Sequence, residues 1–342
     1  GVPFDNYLEE HIFKPLGMEN STFRQPLPER LQPQMSRGYE RASQDAQPFE
    51  IVGVAPAGSL SASGADMAKF MIAHLQKGRY GDARILEEAT AEQMHGTPLT
   101  ILPGVNRMVL GFYEADDNGR RIISHGGDTR YFHSDLNLFI DEGLGLFTSV
   151  NSAGTEGATL GLRLTLLKEF ADRYLPGEAP DGEVDEETRA EHAAMMAGRY
   201  ESSRRAETSF LSLLNLAGGV TVIANEDGTI TVPLLPNVAG DPLRWQEIEP
   251  FVWREVGGEN LLVAEVEDGR VRRFTFEPVS AIMVFEPVPV SKSSSWLLPG
   301  LVAALGAFAL TALAWPISAL VRRYYGASYG LTGTDAKAHR WV

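Results

Sequence analysis

Apolar positions recur at helical spacing in three stretches of the first half of the chain. Over Pro3–Leu16, the residues Phe4, Leu8, Ile12, Phe13 and Leu16 fall on one helix face, and Gly17 supplies the stop. Over Ser63–Leu75, the residues Met67, Phe70, Met71, His74 and Leu75 keep the 3.6-residue period. Ser63 with Asp66 resembles a capping box there, and Gly78 ends the helix. A third helix is predicted over Ala158–Tyr174. Between the second and third the period shortens to that of strands. Ile122-Ile123-Ser124 reads as a strand that ends in His125-Gly126-Gly127. The apolar runs Leu136–Ile140 and Leu144–Val150 flank Asp141-Glu142-Gly143, which predicts a hairpin.

Beyond residue 175 the pattern changes twice. "PGEAPDGEVDEETRAE", Pro176–Glu191, is acidic and rich in turn residues, a linker entering a short helix that ends at Gly198. From Arg199 to about Pro289 short alternating runs prevail, with turns at "EDG" and hairpin glycines such as Gly269. Trp245, Phe251 and Trp253 supply their aromatic packing. The run Trp296–Val321 then carries no charge over 26 residues, and a bilayer core needs about 20. We expect domains at 1–175, a linker and helix at 176–198, a β-rich accessory domain at 199–290, a transmembrane helix at 296–321 and a cytoplasmic tail at 322–342. The expected fold class is α+β, an antiparallel sheet with helices, followed by the small β-rich domain and the membrane helix.

Composition narrows the function. Thirty Lys and Arg against 45 Asp and Glu leave a formal charge of −15, which argues against nucleic-acid binding, since phosphate contact needs a basic surface. The chain has no cysteine, which excludes disulfides, thiolate metal sites and a cysteine nucleophile. No cofactor or metal is expected. His11, His74, His95, His133 and His192 lack metal-ligand spacing, and His74 reads as a core or boundary residue. The sequence begins with Gly1, not Met, and no charged-then-apolar leader follows, so it reads as the interior of a longer polypeptide. Arg322, Arg323, Lys337 and Arg340 follow the apolar run while only Lys292 lies close before it. The positive-inside rule therefore puts the C-terminus in the cytoplasm and the globular part outside. Gly300, Ala303, Ala304 and Ala307 form a small-residue face, and with Pro299 and Pro316 it suggests further membrane helices after Val342.

His125-Gly126-Gly127-Asp128 is the main chemical candidate. Glycines on a strand let a substrate backbone approach, an adjacent N–H can face a developing oxyanion, and a histidine can orient a nucleophile's hydrogen bonds. Three segments resemble serine β-lactamase-like hydrolases, the superfamily of penicillin-binding proteins and class C β-lactamases. "GVPFDNYLEEHIFKPLGMENSTF" resembles the segment after the family's Tyr-x-Asn motif. "APAGSLSASGADMAKFM" resembles its Pro-Ala-Gly-Gly-Leu loop and following helix, and "SHGGDT" with "FHSDLNLFIDEGLGLFTSVNS" resembles its third motif and hairpin. The resemblance covers about Gly1–Tyr174 and implies a hydrolase of an ester or amide, acting on a small-molecule or peptide substrate through an acyl-enzyme, which the apolar run at 296–321 would anchor in a membrane. It implies that His125 takes the place of the motif's lysine, that Gly126 and Gly127 take the next two places, and that Asp128 N–H is one oxyanion donor. Arg130-Tyr131 stands where many relatives have Pro-Gly, which puts two large side chains at the pocket mouth.

The family's other half is missing from the sequence. No Ser-x-x-Lys and no Tyr-x-Asn occurs among the 342 residues. Thr165-Leu-Leu-Lys168 sits in an amphipathic helix, and Ser149-Val150-Asn151 belongs to a hairpin strand. Gly326-Ala-Ser328-Tyr-Gly330 matches a nucleophile elbow but follows a membrane helix, and Asn20-Ser21-Thr22 matches a short glycosylation pattern. We expect the missing motifs before Gly1. The alternative is a non-catalytic extracytoplasmic binding or sensing module of a membrane protein.

Overall fold

The computed structural model describes residues 1–216, 218–236, 240–277, 279–328, 330 and 332–334. The first apolar run is helical with one wide turn. It is α-helical over Phe4–Leu8 (α1), π-helical over Glu9–Phe13 and α-helical again over Lys14–Leu16 (α2). Gly17 closes it at φ 62°, a left-handed position that favours glycine. Phe13 and Leu16 are buried, whereas Phe4 stays exposed.

A short helix, α3, spans Ala55–Gly58, and α4 spans Gly64–Leu75. The Asp66 N–H donates to Ser63 Oγ at 3.2 Å, as the capping pattern predicts. The reciprocal half is redirected. Asp66 Oδ2 accepts from Asn20 N–H at 2.7 Å and from Ser21 Oγ at 2.9 Å, so the cap also pins the loop after Gly17. The hairpin pair β1 (Arg79–Tyr80) and β2 (Ala83–Arg84) follows, then α5 over Glu88–Gly96.

The central sheet is antiparallel, in the order β3 (Tyr113–Glu114), β4 (Ile122–Asp128), β5 (His133–Phe139), β6 (Leu144–Val150). Its two faces are separated by strand alternation. Ile123, Leu136 and Leu138 pack with Met67 and Met71 of α4. Ile122 and Phe139 pack with Ala171 of α6, the helix Ala158–Tyr174. The result is an α/β/α layering.

Helix α7 (Glu186–Met196), capped by Asp185, leads into an eight-stranded barrel. Its strands are β7 (Gly198–Ser202), β8 (Val220–Ala224), β9 (Ile230–Pro236), β10 (Pro242–Glu249), β11 (Val252–Glu255), β12 (Leu261–Glu267), β13 (Arg270–Phe276) and β14 (Phe285–Pro287). β14 pairs with β7 and β9 with β10, so the sheet closes and has no free edge. Trp245, Trp253, Phe274, Phe276 and Ile230 fill its interior. Leu102 packs with Val263 and Val284 of the barrel, and Lys168 of α6 pairs with Glu259 at 3.3 Å.

The sheet region and the barrel belong to one compact unit, residues 1–204 with 220–287. A second unit comprises residues 205–219 with 288–342. It holds a 3-10 segment over Phe210–Leu216 and the helix α8 over Ser294–Tyr325, which is long and apolar enough to cross a membrane. Gly326 ends α8 at φ 66°. Lys337, Arg340 and Tyr329 lie outside the described residues, as does Val342.

Candidate functional site

β4 ends one residue past its glycines. The strand runs through Asp128, with His125 opposite Leu136, Gly126 opposite Asp135, Gly127 opposite Ser134 and Asp128 opposite His133. The strand end expected at His125-Gly126-Gly127 is thus met to within one residue. A partner strand supplies ladder bonds whatever the side chain, and Gly126 and Gly127 thin the paired strand.

Alternation along β4 sets where each backbone group points. Ile140 N–H donates to Arg121 O at 3.1 Å and Thr129 N–H to Phe132 O at 2.9 Å, so the odd-numbered residues bond towards β5. The even-numbered ones point to the other edge. There Ala115 N–H donates to Ile122 O at 2.9 Å, and Gly126 N–H donates to Tyr113 Oη at 2.6 Å. By the same alternation Asp128 N–H points outward along that edge. β3 covers the edge only as far as Ser124.

The side chains alternate as well. His125 is exposed and lies on the face of Ile123 and Leu136, with its ring centroid 5.9 Å from that of Tyr113. Gly127 shares that face, and a Cβ there would meet nothing within 4 Å. Gly126 lies on the opposite face, where a Cβ would come within 2.6 Å of Asp135 Oδ1 and 3.0 Å of Tyr113 Oη. One glycine thus leaves open space beside His125, and the other admits the packing behind it.

Behind the strand lies a polar clamp that sequence patterning did not indicate. Arg163 of α6 is buried and donates through Nη2 to Asp128 Oδ1 at 2.8 Å and through Nη1 to Ser134 O at 2.8 Å. His133 Nδ1 lies 2.6 Å from the same Asp128 oxygen. Burial pushes the Asp135 carboxyl up from its ordinary value, with Arg163 opposing. Burial likewise raises the Tyr113 phenol. Only the contact partners across the sheet and α6 could have revealed these roles.

Of the two side chains expected at a pocket mouth, Arg130 is exposed and Tyr131 is buried. Arg130 Nη2 reaches Glu40 Oε1 at 2.5 Å, and its N–H donates to Glu50 Oε1 at 3.0 Å. Tyr131 packs on Gly38, where a Cβ would fall 2.6 Å from Tyr131 Cβ. A surface concavity of about 470 Å³ is lined by Phe4, Phe23, Arg24 and Pro56, and by none of the His125–Asp128 residues.

The decoy motifs occupy structural positions. Ser149 is in β6 and accepts from Ser134 Oγ at 2.8 Å, and Lys168 is tied to Asp172 and Glu259. Ser328 follows the helix α8, and no strand precedes it. His74 is buried, and the fold brings its Nδ1 to 3.0 Å from His95 Nε2, a pairing that spacing did not suggest. Among the described residues no three His, Asp or Glu groups cluster as metal ligands.

An antiparallel sheet packed between α4 and α6 is the layering of the β-lactamase/transpeptidase-like fold. The Beta-lactamase family model matches residues 1–168. No curated protein matches the chain. Solved structures with some likeness include the octameric penicillin-binding protein homologue from Pyrococcus abyssi, at 17% identity over 84% of this chain and 60% of that one, TM-score 0.39. The β-lactamase/D-alanine carboxypeptidase from Pseudomonas syringae matches at 15% identity over 51% of this chain and 55% of that one, TM-score 0.41. A class C β-lactamase matches at 13% identity over 52% and 53%, TM-score 0.42. The chain thus spans between 53% and 60% of the lengths of these three.

Proposed function

We propose that residues 1–168 carry the oxyanion-strand half of a serine hydrolase site that cleaves an ester or amide in a small-molecule or peptide substrate. The observation that carries this reading is the outward edge of β4, where Asp128 N–H points past the cover of β3 beside exposed His125 and open Gly127. In the proposed step a serine Oγ attacks the substrate carbonyl carbon, and its proton passes to a neighbouring base. The carbonyl oxygen gains the negative charge and accepts from Asp128 N–H and from the serine's own N–H. Collapse expels the leaving group with a proton, and water hydrolyses the acyl-enzyme. His125 orients the hydrogen bonds around the serine, while Arg130 borders the approach. The serine of Ser-x-x-Lys and the tyrosine of Tyr-x-Asn have no counterpart in this sequence, and in this reading they come from residues outside it.

The barrel serves in this reading as an accessory domain. The helix α8 anchors the protein in a membrane, with Arg322 and Arg323 on the cytoplasmic side and the globular region outside. The absence of Ser-x-x-Lys also supports a second reading, a non-catalytic extracytoplasmic binding or sensing module of a membrane protein.

The test is active-site labelling. Residues 1–342 alone should not react with a serine-directed fluorophosphonate, whereas a longer gene product carrying both motifs should. In that product His125→Ala should lower acylation roughly 10²–10³-fold while the fold persists. Unchanged acylation in folded His125→Ala would remove His125 from the chemistry, and a longer product lacking both motifs would favour the binding module.

A further inference from the structure

Between β7 and β8 the chain leaves the barrel for residues 205–219, "RAETSFLSLLNLAGG". This excursion is apolar where a barrel loop is ordinarily polar. Phe210–Leu216 forms a seven-residue 3-10 helix, longer than the three or four residues at which such helices usually stop. Its large side chains face outward: Phe210 is 80% exposed, Leu214 67% and Leu213 59%. Asn215 Nδ2 ties the segment back to Ala206 O at 3.0 Å, and Gly218 N–H donates to Leu214 O at 3.0 Å, so its shape is held locally. Monomeric proteins seldom leave contiguous apolar groups of this kind uncovered without an interaction to serve.

The segment also contacts helix α8, within the same compact unit. α8 is itself exposed along its uncharged run, which opens at Trp296, a residue type that favours the membrane–water boundary. An apolar segment beside an apolar span would share its solvent. From these two observations we infer that Phe210–Leu216 lies in the interfacial layer of the same bilayer that α8 crosses, with Phe210, Leu213 and Leu214 inserted among the acyl chains near the headgroups. The inference rests on the proposed membrane span. At three residues per turn, Phe210 with Leu213 and Leu211 with Leu214 take two sides of this helix while Ser209, Ser212 and Asn215 take the third, the apolar–polar division of such a monotopic element. It would add a second point of attachment of residues 205–219 and 288–342 to the membrane.

The chain has no cysteine, so a single introduced one is labelled uniquely. F210C and, separately, L305C in the middle of the span are to be labelled with the environment-sensitive fluorophore NBD. Each variant is reconstituted in phosphatidylcholine vesicles, with and without lipids bearing nitroxide groups on their acyl chains. Both labels should emit at shorter wavelength than in detergent-free buffer peptide controls, and both should lose at least half their emission to the nitroxide lipids. Quenching at L305C without quenching at F210C would overturn the interfacial segment and leave the span intact. A blue-shifted F210C label that nitroxide lipids do not quench would mean that a second copy of the chain covers it, and would equally overturn the inference. Absence of quenching at L305C would overturn the span and the interfacial segment together.

Discussion

The hydroxyl of Tyr113 accepts the Gly126 N–H at 2.6 Å, and so a side chain continues the edge of β4 where the two-residue strand β3 stops. A Cβ at Gly126 would press on that hydroxyl at 3.0 Å and on Asp135 Oδ1 at 2.6 Å. Asp135 cannot swing away freely, since Arg163 Nη1 lies 3.4 Å from it. Gly126→Ala should therefore destabilise by roughly 1–3 kcal/mol, the cost typical of overpacking. Gly127→Ala meets open space and should stay within about 0.5 kcal/mol of the parent. Urea denaturation of the two variants checks the contrast, and equal losses would contradict the assignment of the two glycines to opposite faces.

Arg163 holds both β5 and the turn side of β4 from a single buried guanidinium. Asp128 is half exposed and can recover water when the arginine is lost, whereas Ser134 O and Asp135 are less able to do so. Arg163→Met should accordingly cost roughly 1–3 kcal/mol, set by the unsatisfied groups and not by the Asp128 ion pair. The companion Asp128→Asn should cost less than Arg163→Met in thermal unfolding. The reverse ranking would show that the ion pair dominates.

His74 responds to acid. Burial, followed by the neighbouring His95, lowers its pKa from 6.5 to about 4. The unfolded chain therefore binds a proton near pH 6.5 that the folded chain refuses until about pH 4, and this contribution to stability falls as the pH drops through that window. The loss approaches at most ~1.4 kcal/mol per pH unit. Histidine NMR should find the His74 ring neutral at pH 5.5 in the folded protein, and a titration centred near 6.5 would refute it.

Glu277 acts with the opposite sign. Burial first, then the carboxylates of Asp116 and Asp117, raise it from 4.5 to about 7 against the N–H bonds from Leu261 and Asn106. The folded chain keeps a proton there that the unfolded chain has released, so this contribution is present at pH 4 and is lost as the pH rises through 7. Glu277→Gln keeps an acceptor for Leu261 N–H, now at 2.7 Å, without a charge to bury. The variant should melt at a higher temperature than the parent at pH 8.5 and at about the same temperature at pH 5. A parent that is the more stable at pH 8.5 would disprove the burial argument.

Local pattern carried several elements to their ends. Ala158–Tyr174 and Leu144–Val150 form as their periods predict, Ser63 caps α4, and Gly17 closes the first helical run. Each of these depends on neighbours within a few residues, where side-chain spacing and glycine's access to positive φ decide the outcome. The order of the three family-like segments was also legible in one dimension, and it agrees with the family match over residues 1–168.

Pairing across long separations was not legible. The strand end near His125-Gly126-Gly127 was legible, but the residue-by-residue pairing of β4 with β5 through Asp128 was not. Arg163 is 35 residues from Asp128, and His74 is 21 residues from His95. No local period records such distances, because the choice of partner follows from which sheet faces and helices meet. Closure of the barrel has the same origin. The runs around the turns at "EDG" and Gly269 are visible in the sequence, but the pairing of β14 with β7 depends on accumulated twist and register around eight strands, which exist only once the sheet has formed.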